Sequence, residues 1–277
     1  MELEFKSAKE LLDLCAKSGL SISGVMRERE CQLGETTPEA VNQRMARAWK
    51  IMQDSARQPL QSPVKSMGGL IGGEAKKLEL HRAGGSGICG DLLQKAITYA
   101  MAVLEVNASM GLIVAAPTAG SAGVVPGLML AMKEHYSLSD DKIIEALFNA
   151  GAVGGCQAEI GVASAMAASA AVELMGGTPA QSLDAASTVL MNMLGLVCDP
   201  VGGLVEYPCQ NRNAAGVANA LIAAELSLSG IRQLIPFDQM LDTMYAVGKR
   251  IPMELRETAL GGCAATPSAC AACGRCS

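Results

Sequence analysis

The chain has 277 residues, of which 50% are hydrophobic and 18% are charged, a composition typical of a globular protein rather than a disordered one. Its 22 basic and 27 acidic side chains include no long basic run, and aromatic residues make up only 3% of the sequence. These features exclude a nucleic-acid-binding protein, which needs a positive surface or aromatic stacking platforms.

The first residues, Met1-Glu-Leu-Glu-Phe-Lys6, lack the basic start and apolar run of a signal peptide, so we expect a cytoplasmic protein. In that reducing compartment, the ten cysteines are better explained by metal binding or catalysis than by disulfide bonds. The alternative for any one of them is a small buried apolar side chain. We assign that role to Cys15, Cys31 and Cys89, which lie among ordinary helical or loop residues.

Helical signals dominate the chain, and no segment alternates with the period of two that a half-buried strand shows. Thr37-Pro38 and Thr178-Pro179 each read as a helix cap followed by proline at the first helical position, and Ser139 is a third cap. A late helix follows Pro236. One apolar face at three- and four-residue spacing comprises Ile88, Leu92, Leu93, Ala96, Ile97, Ala100, Val103 and Leu104.

We therefore predict one all-α domain over residues 1–277, with N-terminal helices in 1–60, a binding core in 61–262 and a Cys-rich tail in 263–277. Gly161–Ala171 consists almost wholly of small side chains, which indicates a central helix buried on all sides. Val106–Met132 has no charged residue and is long enough to span a bilayer. Its glycines and prolines instead predict two buried helices joined by a Gly-rich loop, because that loop would leave backbone groups unpaired in lipid.

A second Gly-rich stretch runs from Ser62 to Gly90 between predicted helices, and such loops bring N–H groups near an anion. It contains Lys65 and His81, each of which is a candidate base or charge-steadying group. A surface lysine and a hydrogen-bonded histidine are the commoner outcomes for such residues.

Three cysteines lie beside Gly or Pro at predicted helix ends, where the helix dipole favours a thiolate. They are Cys156, Cys198 and Cys209. Their wide spacing matches no compact ligand motif, so a metal site and buried structural cysteines both stay open at this point.

Five motifs closely resemble the α chain of the bacterial iron–sulfur L-serine dehydratases, and the resemblance extends from about Ser62 to Pro267. The motifs are Gly68-Gly-Leu-Ile-Gly-Gly73, Ala116-Pro-Thr-Ala-Gly-Ser-Ala-Gly-Val-Val-Pro-Gly127, Gly154-Gly-Cys-Gln-Ala-Glu159, Cys198-Asp-Pro-Val-Gly-Gly203 and Cys209-Gln-Asn-Arg-Asn213.

The resemblance implies that Cys156, Cys198 and Cys209 hold a [4Fe–4S] cluster with one iron open, in an all-α domain whose Gly-rich loops surround the cluster. A cluster bound by four thiolates suits electron transfer, whereas an open iron acts as a Lewis acid. The implied reaction eliminates water from L-serine and ends in pyruvate and ammonia, with no pyridoxal phosphate.

For the substrate, we predict a carboxylate-binding loop at Thr118–Gly123, with donors from Thr118, Gly120, Ser121 and Gly123. A tight turn between helices is the alternative for this loop. Asn211 and Arg212 adjoin Cys209 and are further candidates for carboxylate or hydroxyl binding, although Arg212 also suits a helix cap.

Single-chain members of the family carry an additional N-terminal domain with a Ser-Ser-His-Thr stretch, which this sequence lacks. The resemblance therefore implies a two-chain enzyme, a hetero-oligomer in which a β chain supplies the missing histidine. We then expect the proton-transfer residue in the partner, with Lys65 and His81 as the alternatives within this chain.

The tail departs from the family pattern, because Cys263 is followed by three cysteines at two-residue intervals in Cys270-Ala-Ala-Cys-Gly-Arg-Cys276. A second metal site, a redox-labile tail and a cap over the open iron are the three interpretations. Single-chain relatives place a terminal cysteine on the cluster, which favours Cys276 as a displaceable fourth ligand.

Two other functions compete with serine dehydration. One is desulfidation of L-cysteine by a related cluster protein, which would bind a soft thiol instead of a hard hydroxyl. The other is a cluster-containing redox sensor whose Cys-rich tail is the sensing element.

Overall fold

A computed structural model describes residues 3–85, 87–154 and 159–273, with Glu159 described by its backbone alone. These residues form α-helices and short 3₁₀ turns, and their one β-type contact is an isolated bridge between Cys198 and Arg256. The all-α prediction is confirmed for this part of the chain. The α-helices are α1 Ala8–Ser18, α2 Ile22–Leu33, α3 Pro38–Gln61, α4 Glu74–Ala83, α5 Gly90–Ala108, α6 Val124–His135, α7 Asp140–Val153, α8 Glu159–Leu174, α9 Pro179–Asn192, α10 Cys209–Leu228, α11 Phe237–Arg250 and α12 Pro267–Cys273.

Helix starts follow the local capping signals in the sequence. The hydroxyls of Thr37, Ser139 and Thr178 each accept a hydrogen bond from the backbone N–H three residues later. At Thr178 the Gln181 side chain also accepts the Thr178 N–H, which completes a reciprocal capping box. The three predicted caps are confirmed.

Helix α8 is at the centre of the core and packs against α6, α7, α9 and α10. Its side chains from Val162 to Val172 are buried, which confirms the prediction for this small-residue segment. Small side chains allow the helices to approach closely: a Cβ on Gly216 of α10 would lie 2.7 Å from Oγ of Ser164. The segment thus brings α10 onto α8.

The Val106–Met132 segment also folds as predicted, into the end of α5, a loop and the start of α6. None of the helices in the described ranges is long and apolar enough to cross a bilayer. A Cβ on Gly127 of α6 would lie 2.8 Å from the backbone N of Ala100 in α5, so glycine is needed at this crossing.

Three expectations about the segment between α3 and α5 were wrong. Helix α4 lies within the stretch interpreted as a Gly-rich loop, and it places His81 on a helix. Ile88 is 97% exposed and precedes α5, because the helix begins at Gly90, whose φ is +70°. Cys89 is exposed beside it, whereas Cys15 and Cys31 are buried as expected. Burial is the largest of the effects that raise the pKa of the Cys15 thiol to about 11.

Candidate functional site

Cys209 is the first residue of α10 and its side chain is buried. The preceding residue, Pro208, ends the loop that leads into the helix. Backbone N–H groups in a first helical turn favour negative charge nearby. A thiolate at this position is therefore well placed to bind a metal.

Cys198 lies in a loop between α9 and the next 3₁₀ turn, six residues after Asn192, rather than at the helix end that we predicted. Its backbone pairs with the C-terminal region: the Cys198 N–H donates to the Leu255 carbonyl at 3.0 Å, and the Glu257 N–H donates to the Cys198 carbonyl at 2.7 Å. The loop thus has a fixed backbone without being helical.

Arg212 connects the two cysteine segments. It lies one turn after Cys209, and its Nη1 donates to the carbonyl of Val197 at 3.0 Å. The same atom is 2.7 Å from Oδ1 of Asp199, so the guanidinium contacts both neighbours of Cys198. Arg212, a candidate for substrate binding or for a helix cap, thus has an internal partner for its charge.

Asp199 is nearly fully buried and also binds the C-terminal region, since its Oδ2 accepts the Cys263 N–H at 2.6 Å. Burial opposes ionisation of this carboxyl, but the hydrogen bonds from Cys263 and the Arg212 charge together hold its pKa below the usual range. The hydrogen bond to Asp199 is also the main reason that the pKa of the Cys263 thiol is raised.

Asn213 connects Cys209 to the predicted carboxylate-binding loop. Its Nδ2 donates to the carbonyls of Cys209 and Gly120, each at 2.8 Å, and its Oδ1 accepts the Gly123 N–H at 3.0 Å. In the loop, the Thr118 and Ser121 hydroxyls lie 3.0 Å apart and share a hydrogen bond. Thr118 is half-buried, whereas Ser121 is fully buried, so Thr118 is the hydroxyl with access to the surface.

Glu206 connects the same segment to the Gly-rich loop that precedes α4. Its carboxylate is 2% exposed and accepts hydrogen bonds from the Ser66 hydroxyl at 2.7 Å, the Gly68 N–H at 2.6 Å and the Leu70 N–H at 2.9 Å. The loop was predicted to bring N–H groups near an anion, and in the folded chain this anion is an internal carboxylate.

Gln210, which follows Cys209, is also buried and donates to Oε1 of Glu105 at 3.2 Å. The same oxygen accepts the Ala75 N–H at 2.9 Å and so caps the start of α4. Oε2 of Glu105 has no hydrogen-bond partner within the described residues, and burial is the main reason that the pKa of this carboxyl is raised. Helix α4 is thereby fixed to the start of α10.

The remaining sequence candidates fall in different places. Lys65 is exposed at the start of the Gly-rich loop, directly before Ser66. His81 is exposed in the last turn of α4, and Asn211 is exposed in the first turn of α10. Of these, Lys65 and Asn211 adjoin the segments that meet at Cys209.

The C-terminal region packs on the Cys198 loop. Helix α12 contacts the 3₁₀ turn Val201–Gly203, and a Cβ on Gly202 would lie 3.2 Å from Cβ of Cys273. Cys276 and Cys156 lie outside the described residues. Within the described part, no three His, Cys, Asp or Glu side chains are grouped as metal ligands, and the predicted set of three includes Cys156.

Asp199, Glu206 and Asn213 are connecting residues that sequence reasoning missed. Each is a polar side chain within four residues of Cys198 or Cys209 in the sequence. Buried polar groups need partners, so these residues were the available signal for tertiary contacts.

The chain is similar to serine dehydratase chains over most of its length. The family described as serine dehydratase alpha chain matches residues 17–264, which includes Cys198, Cys209 and Cys263 and ends before α12. The chain is 46% identical to a probable L-serine dehydratase, alpha chain, from Bacillus subtilis, across 95% of this chain and 92% of that protein. It is 43% identical to the L-serine dehydratase, alpha chain, of Peptoniphilus asaccharolyticus, across 93% of each.

A longer relative matches over only part of its length. The L-serine dehydratase of Helicobacter pylori is 37% identical across 95% of this chain but only 62% of that protein. Since the family match covers most of the residues and the α-chain relatives align nearly end to end, the chain belongs to the serine dehydratase alpha chain family.

Proposed function

We propose that this chain is the cluster-binding α chain of an L-serine ammonia-lyase, which eliminates water from L-serine and yields pyruvate and ammonia. The observation that carries the proposal is the first turn of α10. Its residues and the short loop before it bind the Cys198 loop through Arg212, the Thr118 loop through Asn213 and the Gly-rich loop through Glu206. The names of the relatives support the substrate.

The donor set fits a [4Fe–4S] cluster held by Cys156, Cys198 and Cys209. Thiolates are the ligands that iron–sulfur clusters take, and the two described cysteines lie on segments joined by Arg212. Helix α8, which follows Cys156 in the chain, packs against both α10 and the Thr118 loop. When bound, the cluster supplies a Lewis-acidic iron that assists departure of the hydroxyl, so no pyridoxal phosphate is required.

The protein side chains bind and orient the substrate. Thr118, Gly120, Ser121 and Gly123 form the loop that receives the carboxylate, with Thr118 the accessible hydroxyl, and Asn211 adds an exposed amide. Arg212 holds the Cys198 loop, because its charge is paired with Asp199. Lys65 and His81 are the candidates within this chain for a base or a charge-steadying group, and a base from the β chain is the preferred alternative for removing the α-proton.

A β chain is the proposed partner, in a cytoplasmic hetero-oligomer. The word alpha in the names of the relatives implies a second chain, and the longer relatives include sequence that this chain does not cover. We also propose that Cys276 occupies the open iron at rest. The contact of α12 with the 3₁₀ turn Val201–Gly203 supports this role, because it brings the described end of the tail to the turn that follows the Cys198 loop.

The test uses the two chains purified together without oxygen. With L-serine we expect pyruvate and ammonia in equal amounts, and no sulfide above background from L-cysteine under the same conditions. Sulfide from cysteine with no pyruvate from serine would identify a desulfidase. A bound cluster with neither product would favour the redox-sensing role.

A further inference from the structure

The loop from Ser66 to Gly72 is closed around the Glu206 carboxylate. Gly68 and Leu70 donate their N–H groups to Glu206, and the other amides of the loop are also bonded. Their acceptors are carbonyls of Ser66, Ile71 and Ala108, the Ser66 hydroxyl and the Glu74 carboxylate. Every amide from 66 to 72 is therefore bonded within the protein, and the Glu206 carboxylate is one anchor of the loop through the Ser66 hydroxyl and the Gly68 and Leu70 amides.

Glycine is required where this loop meets Glu206. A Cβ on Gly68 would lie 2.2 Å from Cδ1 of Leu204 and 2.8 Å from Oε1 of Glu206. Gly69 follows with φ +74°, a value that other residues rarely adopt. The loop is therefore built to enclose this carboxylate and is anchored to the segment that begins α10, since the Gln210 N–H donates to the Glu206 carbonyl at 2.9 Å.

Lys65 is a charged residue at the start of this loop. It is exposed, directly precedes Ser66, and its Cε lies 3.7 Å from the position of a Cβ on Gly69, so the side chain extends over the loop. Among the described residues Lys65 forms no salt bridge, whereas Arg212 is paired with Asp199. A positive charge strengthens the binding of a substrate carboxylate, and the charge of Arg212 is already paired with Asp199.

We propose that Lys65 binds the carboxylate of the substrate and that Glu206 is a positioning residue, which shapes the loop so that the Lys65 ammonium faces the substrate. This inference rests on the proposed function, because it names the group that recognises serine in that reaction. Thr118 then supplies a neutral donor to the same carboxylate. Lys65 acts as a charge, and the α-proton is removed by another group.

The test compares variants of the two-chain enzyme by kcat, KM for L-serine and iron content. In Lys65→Ala we expect KM to rise about tenfold, equivalent to about 1.4 kcal/mol, with kcat and iron nearly unchanged. Lys65→Arg keeps the charge and is expected to keep most of the affinity. The KM of the wild-type enzyme is expected to rise with salt, and this dependence is expected to be weaker in Lys65→Ala.

Glu206→Gln replaces one carboxylate oxygen, which accepts hydrogen bonds, with an NH₂ group that faces donors. We expect this variant to raise the KM for L-serine, as Lys65→Ala does. If Glu206 acts through Lys65, the double variant resembles the worse single variant instead of multiplying the two effects. Ser66→Ala removes one donor and is a milder version of the same change. Glu173→Gln is the matched control, because Glu173 lies away from this loop and accepts hydrogen bonds from Asn149 and Ser23. The KM of this variant is expected to equal that of the wild type.

Several results would overturn the inference while the enzyme remains active. They are an unchanged KM in Lys65→Ala, a fall in kcat alone, or multiplied effects in the double variant. Loss of iron from Glu206→Gln alone would assign Glu206 to cluster retention. If KM rises in Arg256→Ala but not in Lys65→Ala, the positive charge that binds the substrate carboxylate belongs to Arg256, whose backbone forms the β-bridge with Cys198. No pyruvate from the wild-type pair would reject the proposed function, and this inference with it.

Discussion

At the scale of single residues, the site depends on buried polar side chains whose partners are far away in sequence. Asn213 bonds to Gly120 across 93 positions, and Glu206 bonds to Gly68 across 138 positions. The cysteine motifs were recognisable from the sequence because each is a contiguous stretch. Their connections were not, because no local pattern in the sequence specifies a contact at such separation.

The cysteines provide the first prediction. Cys198→Ser and Cys209→Ser are each expected to lose bound iron and pyruvate formation, because an alcohol is a poor ligand for iron–sulfide at neutral pH. Iron and sulfide counted on anaerobic protein check this result. Cys89→Ser is the control, because Cys89 is exposed outside the site. This variant is expected to retain both the iron and pyruvate formation. Full iron content in either of the first two variants would remove that cysteine from the ligand set.

Glu105 provides a pH prediction. Burial raises the pKa of this carboxyl above its ordinary value of 4.5, so the folded chain holds the proton more tightly than the unfolded chain. The protonated Glu105 carboxyl therefore stabilises the folded chain at low pH, and this stabilisation is lost as pH rises through the pKa of the folded state. The side chain in Glu105→Gln does not titrate. We therefore expect the melting temperature of this variant to rise relative to that of the wild type between pH 4 and 7, a range that begins near the ordinary Glu pKa.

Thermal unfolding of the anaerobic α chain at a series of pH values measures this difference. Glu173→Gln, at the Asn149 contact, is the comparison variant. A constant difference between Glu105→Gln and wild type over this pH range would contradict a raised pKa for Glu105 in the folded chain.

At the scale of elements, local signals predicted the helices that carry their own caps or a long apolar pattern, such as α8 and α9. They missed α4, whose N-cap residue is Gly73 with no side-chain hydrogen bond. Its first turn is capped instead by Glu105, which lies 30 residues beyond Ala75. A helix stabilised by a distant side chain leaves no capping signal in its own sequence.

The close crossing of α5 and α6 gives a prediction at this scale. Gly127→Ala is expected to lower the free energy of unfolding by about 1–3 kcal/mol, because its methyl group would overlap the Ala100 backbone. Gly151→Ala is the matched control in α7, where a Cβ meets no other atom within 4 Å. That change is expected to be neutral or to stabilise by about 0.5–1 kcal/mol, since alanine favours helix over glycine. Equal effects in denaturant titrations would contradict the packing argument.

The C-terminal region is an element with a functional prediction. If Cys276 is displaced when substrate binds, Cys276→Ser is expected to abolish any lag in pyruvate formation and to speed inactivation by air, with little loss of the final rate. Progress curves recorded without oxygen measure the lag. Cys270→Ser, in α12, is the control and is expected to keep it. Loss of iron from Cys276→Ser would show a permanent ligand instead of a displaceable one.

At the scale of the whole molecule, the described helices place three loops around the first turn of α10, and this turn is the centre of the proposed enzyme. The match to the serine dehydratase alpha chain family extends over residues 17–264 and so includes all three loops. By our proposal, the chemistry additionally requires a cluster and a second chain. Both requirements can be examined in one preparation.

The most direct test is stepwise anaerobic loading of the iron-free chain with iron and sulfide, followed by a pyruvate assay with and without the β chain. We expect pyruvate formation from L-serine to rise in proportion to bound iron and to level off at about four irons per chain. We expect this activity only when the β chain is present. Undiminished pyruvate formation by the iron-free protein would contradict the account.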